Sequence, residues 1–302
     1  MSTSPGTVAS LTAADLRPRG GWRFVKSRLM TVLMGAAFLI VVIPIVFVLG
    51  SVVQKGAGIV VRDFPAWFTT DIPTRSRVVG PGMKGAIIGT IIITVAASVV
   101  AIPLGILAAI YLNEYGRTSL FARMVRFLSN VMTGVPSIVM GLFVYIVFTI
   151  SFGLAGIGGA LALAALMLPI VIRSCEEMLR LVPDNLREAS YALGTTKSRT
   201  VLTVVLPSAA PGIVSGCLLA IARAAGETAP LLFTIGAAKI ANWSLFEGEN
   251  TTLSRQIFVN AFEVLPGPQE RAWGAALTLM AMTFLFTVVA RVVTARQRKK
   301  QR

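Results

Sequence analysis

Residues 184–207 read DNLREASYALGTTKSRTVLTVVLP, a polar break with helical patterning of its own between two long apolar runs. Leu186, Ala189, Ala192 and Leu193 recur at i, i+3 and i+6/i+7, so they share one helical face. Asn185, three residues before Glu188, offers a capping box, and Gly194 offers a helix stop. Thr195 or Thr196 can cap a second short helix carrying Val201, Leu202, Val204 and Val205, after which Pro207 opens the next apolar run. The stretch reads as a helix–Gly–helix hairpin at a membrane surface, half apolar and half charged. That shape suits docking into a groove on a soluble partner.

The surrounding chain supplies the membrane. Of 302 residues, 55% are hydrophobic and 14% charged, and the mean hydropathy is +0.78; this is the composition of an all-α integral membrane protein. Six runs reach the roughly 20 residues that a crossing needs: about 29–53, 83–112, 125–150, 154–176, 207–236 and 272–294. They make up one transmembrane domain, 28–302, with the hairpin inside a connecting loop, 177–206. Residues 1–27, rich in Ser, Thr, Gly and Pro before a set of arginines, read as a disordered cytoplasmic tail. The first apolar run follows that tail and is too long for a signal sequence, so it is expected to be retained. Segment 54–82 holds Phe64-Pro65-Ala66-Trp67-Phe68, a candidate for the membrane interface, and loop 237–271 carries Trp243, Phe246, Glu247, Glu249 and Glu263.

The net charge of +15 would suggest nucleic acid in a soluble chain. Here most of the excess flanks apolar runs, where it reads as topology and anionic-lipid contact, with no nucleic acid among the expected partners. With the N-terminal tail inside, 18 Lys and Arg lie in cytoplasmic segments against 8 outside. Six spans then put both termini and the hairpin in the cytoplasm. Cys175 and Cys217 lie in or beside apolar runs and read as packed small residues. The chain has no His, so His-based metal sites and proton relays are excluded.

Three charges sit where hydrocarbon penalises them, at about 2.5–3.5 kcal/mol for an Arg at a span centre. Arg223 and Glu227, in IARAAGETAPLL, are four residues apart and can pair on one helical face. Arg173, in PIVIRSCEE, either reaches out to the interface or faces the interior. An interior arginine fork suits a divalent oxyanion, whose lost water must be replaced by donors and positive charge. A neighbouring Glu can neutralise that Arg while no anion is present. Pro103, Pro136, Pro207, Pro211 and Pro230 interrupt or end the runs, either lining a pathway or packing against neighbours.

Glu188-Ala189-Ser190, Gly194 and Val204-Val205-Leu206-Pro207 resemble the EAA loop of bacterial ABC-importer permeases: E-A-A, three residues, Gly, nine residues, I-x-L-P. Ser190 and Val204 are mild departures from it. RAAGETAPLLF, at 223–233, resembles the RAxGETAPL segment of phosphate-specific permeases of that group, in the PstA-like rather than the PstC-like form. IPLGILAAIYLNEYG (102–116), GVPSIVMGLF (134–143) and an almost continuous stretch from 166 to 213 are similar to the same family. The resemblance implies a type I ABC-importer permease fold, MetI-like, with six transmembrane helices and a cytoplasmic EAA coupling hairpin in a bacterial plasma membrane. It implies that Arg223 and Glu227, with Arg173 beside them, handle inorganic phosphate. It also implies that Asp184, Glu188, Ala189, Gly194, Leu206 and Pro207 meet an ATPase.

The same resemblance implies a homologous PstC-like permease, two PstB-like ATPase subunits and an external PstS-like phosphate-binding protein as partners. The chain has no Gly-x-x-x-x-Gly-Lys-Ser/Thr phosphate loop, since Gly194-Thr-Thr-Lys197-Ser198 lacks the second Gly. ATP and Mg are therefore expected on the partner ATPase, with no cofactor in this chain and no catalytic constellation. The alternatives are another oxyanion, sulfate or molybdate, an ATPase-independent transporter or channel, or a transport-linked sensor.

Overall fold

The computed structural model describes residues 22–73 and 80–300. The chain divides into two units, residues up to Ser51 and Val52–Arg302. Through the first unit runs α1, Trp22–Arg62, a helix of 41 residues that passes Pro44 without ending. Its side chains up to Gly50 are exposed almost throughout. Of the expected tail 1–27, residues 1–21 lie outside the described residues and 22–27 open this helix.

The second unit contains α2 (Ala66–Thr69) and α3 (Lys84–Ile110), the latter continued by a π turn at Tyr111–Tyr115. Next come α4 (Leu120–Gly134) and α5 (Ser137–Val144), which runs through a π turn at Tyr145–Thr149 into α6 (Ile150–Phe152). After α7 (Gly156–Arg180) the hairpin consists of α8 (Asp184–Ala192) and α9 (Lys197–Thr200). A π turn at Val201–Val205 joins α9 to α10 (Leu206–Gly226). The chain closes with α11 (Leu231–Thr234), α12 (Leu253–Ala261) and α13 (Pro266–Lys300). No strand occurs among the described residues.

Among the described residues, five helices are long and apolar enough to cross a membrane, and a sixth crossing arises if α4 and α5–α6 count as one bent span. That pair turns through 106°, where the sequence reading has a single run over 125–150. Pro136 is the reason: its ring drives the preceding Val135 into extended backbone (φ −73°, ψ 127°), which ends α4. The run expected over 207–236 is also interrupted. α10 stops at Gly226, and Glu227 is extended (φ −69°, ψ 135°) before a short α11.

The core is built on α3, α7 and α10 around Ile93, Ala97, Leu163, Met167, Val171, Ile213 and Ala220. Small residues let backbones approach. A Cβ on Gly105 of α3 would collide with Val171 of α7, and one on Gly89 would collide with the Thr251 carbonyl. Cys175 and Cys217 are buried free thiols in this core. A second cluster gathers Ile59, Trp67, Ile72, Met83, Ala86, Leu253 and Ala275. Trp67 is fully buried there, its indole N–H donating to Thr278 Oγ1 at 3.0 Å, so it is a core residue rather than an interfacial one. Residues 74–79 of that segment lie outside the described residues. Loop 237–271 also packs inward: Asn250, Thr251, Thr252, Ser254, Gln256 and Asn260 are buried.

Polar contacts hold the hairpin to this body. The Arg187 side chain is 7% exposed and pairs with Glu114, 3% exposed, at 2.9 Å. It also donates to the carbonyls of Leu179 and Val182 and to Asp184 Oδ1, at 3.1, 2.7 and 3.0 Å. Behind α8, the hydroxyls of Ser190, Thr195 and Thr200 form a closed triangle with edges of 2.6, 2.9 and 2.9 Å. A buried pair broken on one side leaves an uncompensated charge. Arg187→Met is therefore expected to destabilise the protein by about 3–5 kcal/mol, while Glu114→Leu together with Arg187→Met should recover most of the loss. Thermal unfolding midpoints of the two variants in detergent check this.

Candidate functional site

Two helix breaks meet at one cavity. A space of about 280 Å³ is lined by Met132, Thr133, Val135, Pro136, Ser137, Leu166, Pro169, Ile170, Arg223 and Glu227. Val135–Pro136 is the break between α4 and α5, and Glu227 is the first residue beyond α10. Arg223 Nε lies 3.5 Å from Glu227 Oε1, as the four-residue spacing leads one to expect. The Glu227 side chain is 21% exposed and that of Arg223 68%. An arginine so exposed at this depth needs water, an anion or another protein against it. The break is itself fixed, because the Ser254 hydroxyl of α12 donates to the Glu227 carbonyl at 2.9 Å. Ser137, the first residue of α5, lines the same cavity, so the positive end of a helix adds to the arginine's charge. Together these groups can hold an oxyanion that competes with Glu227 for the guanidinium.

Arg173 is not in that cavity. It pairs with Glu177 at 3.7 Å, both more than 60% exposed, and lines a neighbouring space farther along α7. Pro169 and Ile170 of the first cavity lie on the same face of the helix, four and three residues earlier.

The hairpin residues are arranged differently from the sequence reading in two respects. α8 begins at Asp184 because Pro183 stands at its N-cap, and no capping box forms at Asn185. Thr196 is the N-cap of α9, but its hydroxyl meets Ser198 Oγ rather than capping a backbone N–H, and Thr195 braces Ser190. Gly194 does end α8, with φ +78°, a conformation that costs any residue with a Cβ. The separate second helix becomes the start of a continuous helix from Lys197 to Gly226. The π turn before Pro207 accommodates a ring that supplies no N–H. Leu206 packs against the main core, while Pro207, Glu188 and Ala189 are exposed. Asp184 pairs with Arg187 and, at 3.5 Å, with Arg117.

The face of α8 is inverted relative to an ordinary amphipathic connector. Leu186, Leu193 and Tyr191 are 44%, 85% and 41% exposed, whereas Arg187 and Ser190 are buried. The hairpin thus turns its apolar side outward. Sequence reasoning missed Glu114 and Arg187, which are 73 positions apart; the one available signal was a carboxylate ending a long apolar run in IYLNEYG. It also missed Arg126, which reaches Glu176 at 2.7 Å, having counted only as topological charge. Among the described residues no group of three or more Cys, Asp or Glu is placed to hold a metal ion.

Known proteins share this architecture. The family model for binding-protein-dependent transport system inner membrane components matches residues 101–299. The phosphate transport system permease protein PstA of Mycobacterium leprae is 40% identical over 272 residues, covering 89% of each chain. PstA 1 of Mycobacterium tuberculosis is 41% identical over 293 residues, covering 94% of this chain and 93% of its own. PstA of Yersinia pestis is 40% identical over 292 residues, with 93% and 94% covered. Among solved structures, a chain of the inward-facing MetNI methionine ABC transporter superposes with a TM-score of 0.56 at 18% identity, over 69% of this chain and 91% of its own. A chain of an amino acid ABC transporter crystallised with histidines gives 0.51 at 20% identity, over 70% and 92%. The structural likenesses concern the fold, that of a type I ABC-importer permease. From the family match and the length and identity of these alignments, the chain belongs to the binding-protein-dependent transport system inner membrane component family.

Proposed function

We propose that this chain is the transmembrane permease subunit of an ATP-driven importer for inorganic phosphate, forming the translocation pathway with a homologous subunit. The observation that carries the proposal is the Arg223–Glu227 pair at the meeting of two helix breaks, with the arginine open on one side. The substrate comes from the relatives, which are named as phosphate transport permeases. Hydrogen phosphate is small, doubly charged and rich in acceptors. The planar arginine fork and the start of α5 replace its water, and Glu227 neutralises the arginine between passages. The exposed side of Arg223 is where a homologous PstC-like subunit would complete the pathway.

The hairpin serves as the contact with the motor. Leu186, Ala189 and Leu193 present an apolar surface for a groove on a PstB-like ATPase, of which two carry the ATP and Mg. Asp184 and Glu188 edge that surface, Gly194 sets its turn, and Leu206 and Pro207 tie it to α10. A PstS-like phosphate-binding protein delivers the anion from outside, toward segments 54–82 and 237–271. In this arrangement residues 28–302 are one permease domain in a bacterial plasma membrane, with the hairpin and both termini in the cytoplasm, as the distribution of Lys and Arg supports.

Uptake of radiolabelled phosphate by cells lacking the gene tests the substrate and the pair. Wild type should restore uptake that excess sulfate does not compete away. Arg223→Ala should lower it about 10–100-fold, the factor corresponding to one charge-assisted hydrogen bond of about 1.5–3 kcal/mol. Glu227→Gln, if it altered neither rate nor apparent affinity, would show that no exchange between Glu227 and the anion takes place. For the hairpin, Leu193→Asp should reach the membrane at normal levels yet recover less ATPase on co-purification. A Cβ added at Gly194 meets no neighbouring atom, so the expected failure of Gly194→Asp arises from the positive φ and the added charge, and Gly194→Ala should fail less severely. Equal ATPase recovery by Leu193→Asp and wild type would rule out this docking face.

A further inference from the structure

We propose that the seam between α4 and α7 holds a second oxyanion station, nearer the coupling hairpin than Arg223. The proposal rests on the reading that an oxyanion passes Arg223–Glu227. One face of α7 carries Leu166, Pro169, Ile170, Arg173, Glu176, Glu177 and Arg180 at helical spacing. The first three line the Arg223–Glu227 cavity. The last four line a second cavity of about 240 Å³, closed on the other side by Arg126, Ser129 and Asn130 of α4. The two spaces follow each other along one seam, about 15 Å from Ile170 to Arg180 at the rise of a helix, with Arg173 at the end of the second that is nearer the first.

The second cavity repeats the chemistry of the first. Its arginines are each held by a carboxylate. Arg126 Nε and Arg180 Nη2 both donate to Glu176 Oε1 at 2.7 Å, and Arg173 pairs loosely with Glu177 at 3.7 Å. Three guanidinium groups face two carboxylates, so the lining is net positive, and two of the three share a single carboxylate oxygen. Arg126 is positioned further by donating to the Leu112 carbonyl at 2.7 Å. A tetrahedral phosphate group can bridge Arg126 and Arg180 in place of Glu176, with Ser129 and Asn130 as neutral partners. Two sources offer that group: a free phosphate leaving the pathway, and the headgroup of an anionic lipid.

The test uses the assembled, nucleotide-free importer in nanodiscs, titrated with radiolabelled orthophosphate. In neutral phosphatidylcholine, Arg126→Gln combined with Arg180→Gln should remove a binding component that Arg223→Gln leaves in place. Glu176→Gln frees both guanidinium groups and should tighten that component severalfold, which a purely structural brace would not do. Including phosphatidylglycerol separates the sources, since a headgroup site loses the orthophosphate component and a free-anion site keeps it. The proposal is overturned if the double variant, assembled normally, binds as much orthophosphate as wild type and Glu176→Gln only lowers thermal stability. Because Arg223→Gln is scored separately, an unchanged result for that variant would overturn the pathway reading and leave the second station standing.

Discussion

In hydrocarbon a charge or a freed peptide group has no water to turn to, so it must find its partner in protein. The placement of several charged side chains in this structure follows from that. The carboxylates of Glu114, Glu176 and Glu227 each have an arginine within reach. The two broken helices have their loose ends gathered at one place, where Ser254 fastens the carbonyl released at Glu227. A break in a membrane helix is tolerable where it borders a cavity or packed protein, and here two breaks border the same cavity. The paired arginine at that point is therefore part of the same solution as the breaks.

The hairpin obeys the constraint in reverse. It lies outside the apolar core, where water satisfies charges and apolar surface is the liability. Yet it buries an arginine and the hydroxyls of Ser190 and Thr200 and exposes leucines. Polar bonds give it a fixed attitude on the body, since Arg187 has five donors in a rigid fork and reaches four separate acceptors. The apolar surface stays exposed. The contacts that orient the hairpin and its exposed apolar surface thus lie on opposite sides of a helix of nine residues.

Much of this was legible in the chain. Apolar runs and a positive φ at Gly194 are local properties, and so is the four-residue spacing of Arg223 and Glu227. The direction of a helix is not. The helix before Pro136 is amphipathic and the one after it apolar throughout, yet the two pass together as one apolar run, so hydropathy crosses a 106° turn without registering it. Trp67 looked interfacial because aromatics flank membranes, but a neighbouring helix offered its indole a hydroxyl. The partnership of Glu114 with Arg187, and of Arg126 with Glu176, exists only after folding brings distant segments together. In the sequence these arginines look the same as those that merely mark the inner side of a membrane.

The uninterrupted helix from Lys197 to Gly226 has a mechanical consequence. Thirty residues at the rise of an α-helix span about 45 Å. One end of this rod is rooted in the hairpin, and the other carries Arg223 and stops beside Glu227. A tilt of about 5° about one end sweeps the other through about 4 Å on that moment arm. The gap between the Arg223 and Glu227 side chains is 3.5 Å. A tilt of that size carries the far end of one helix through a distance as wide as an ion pair.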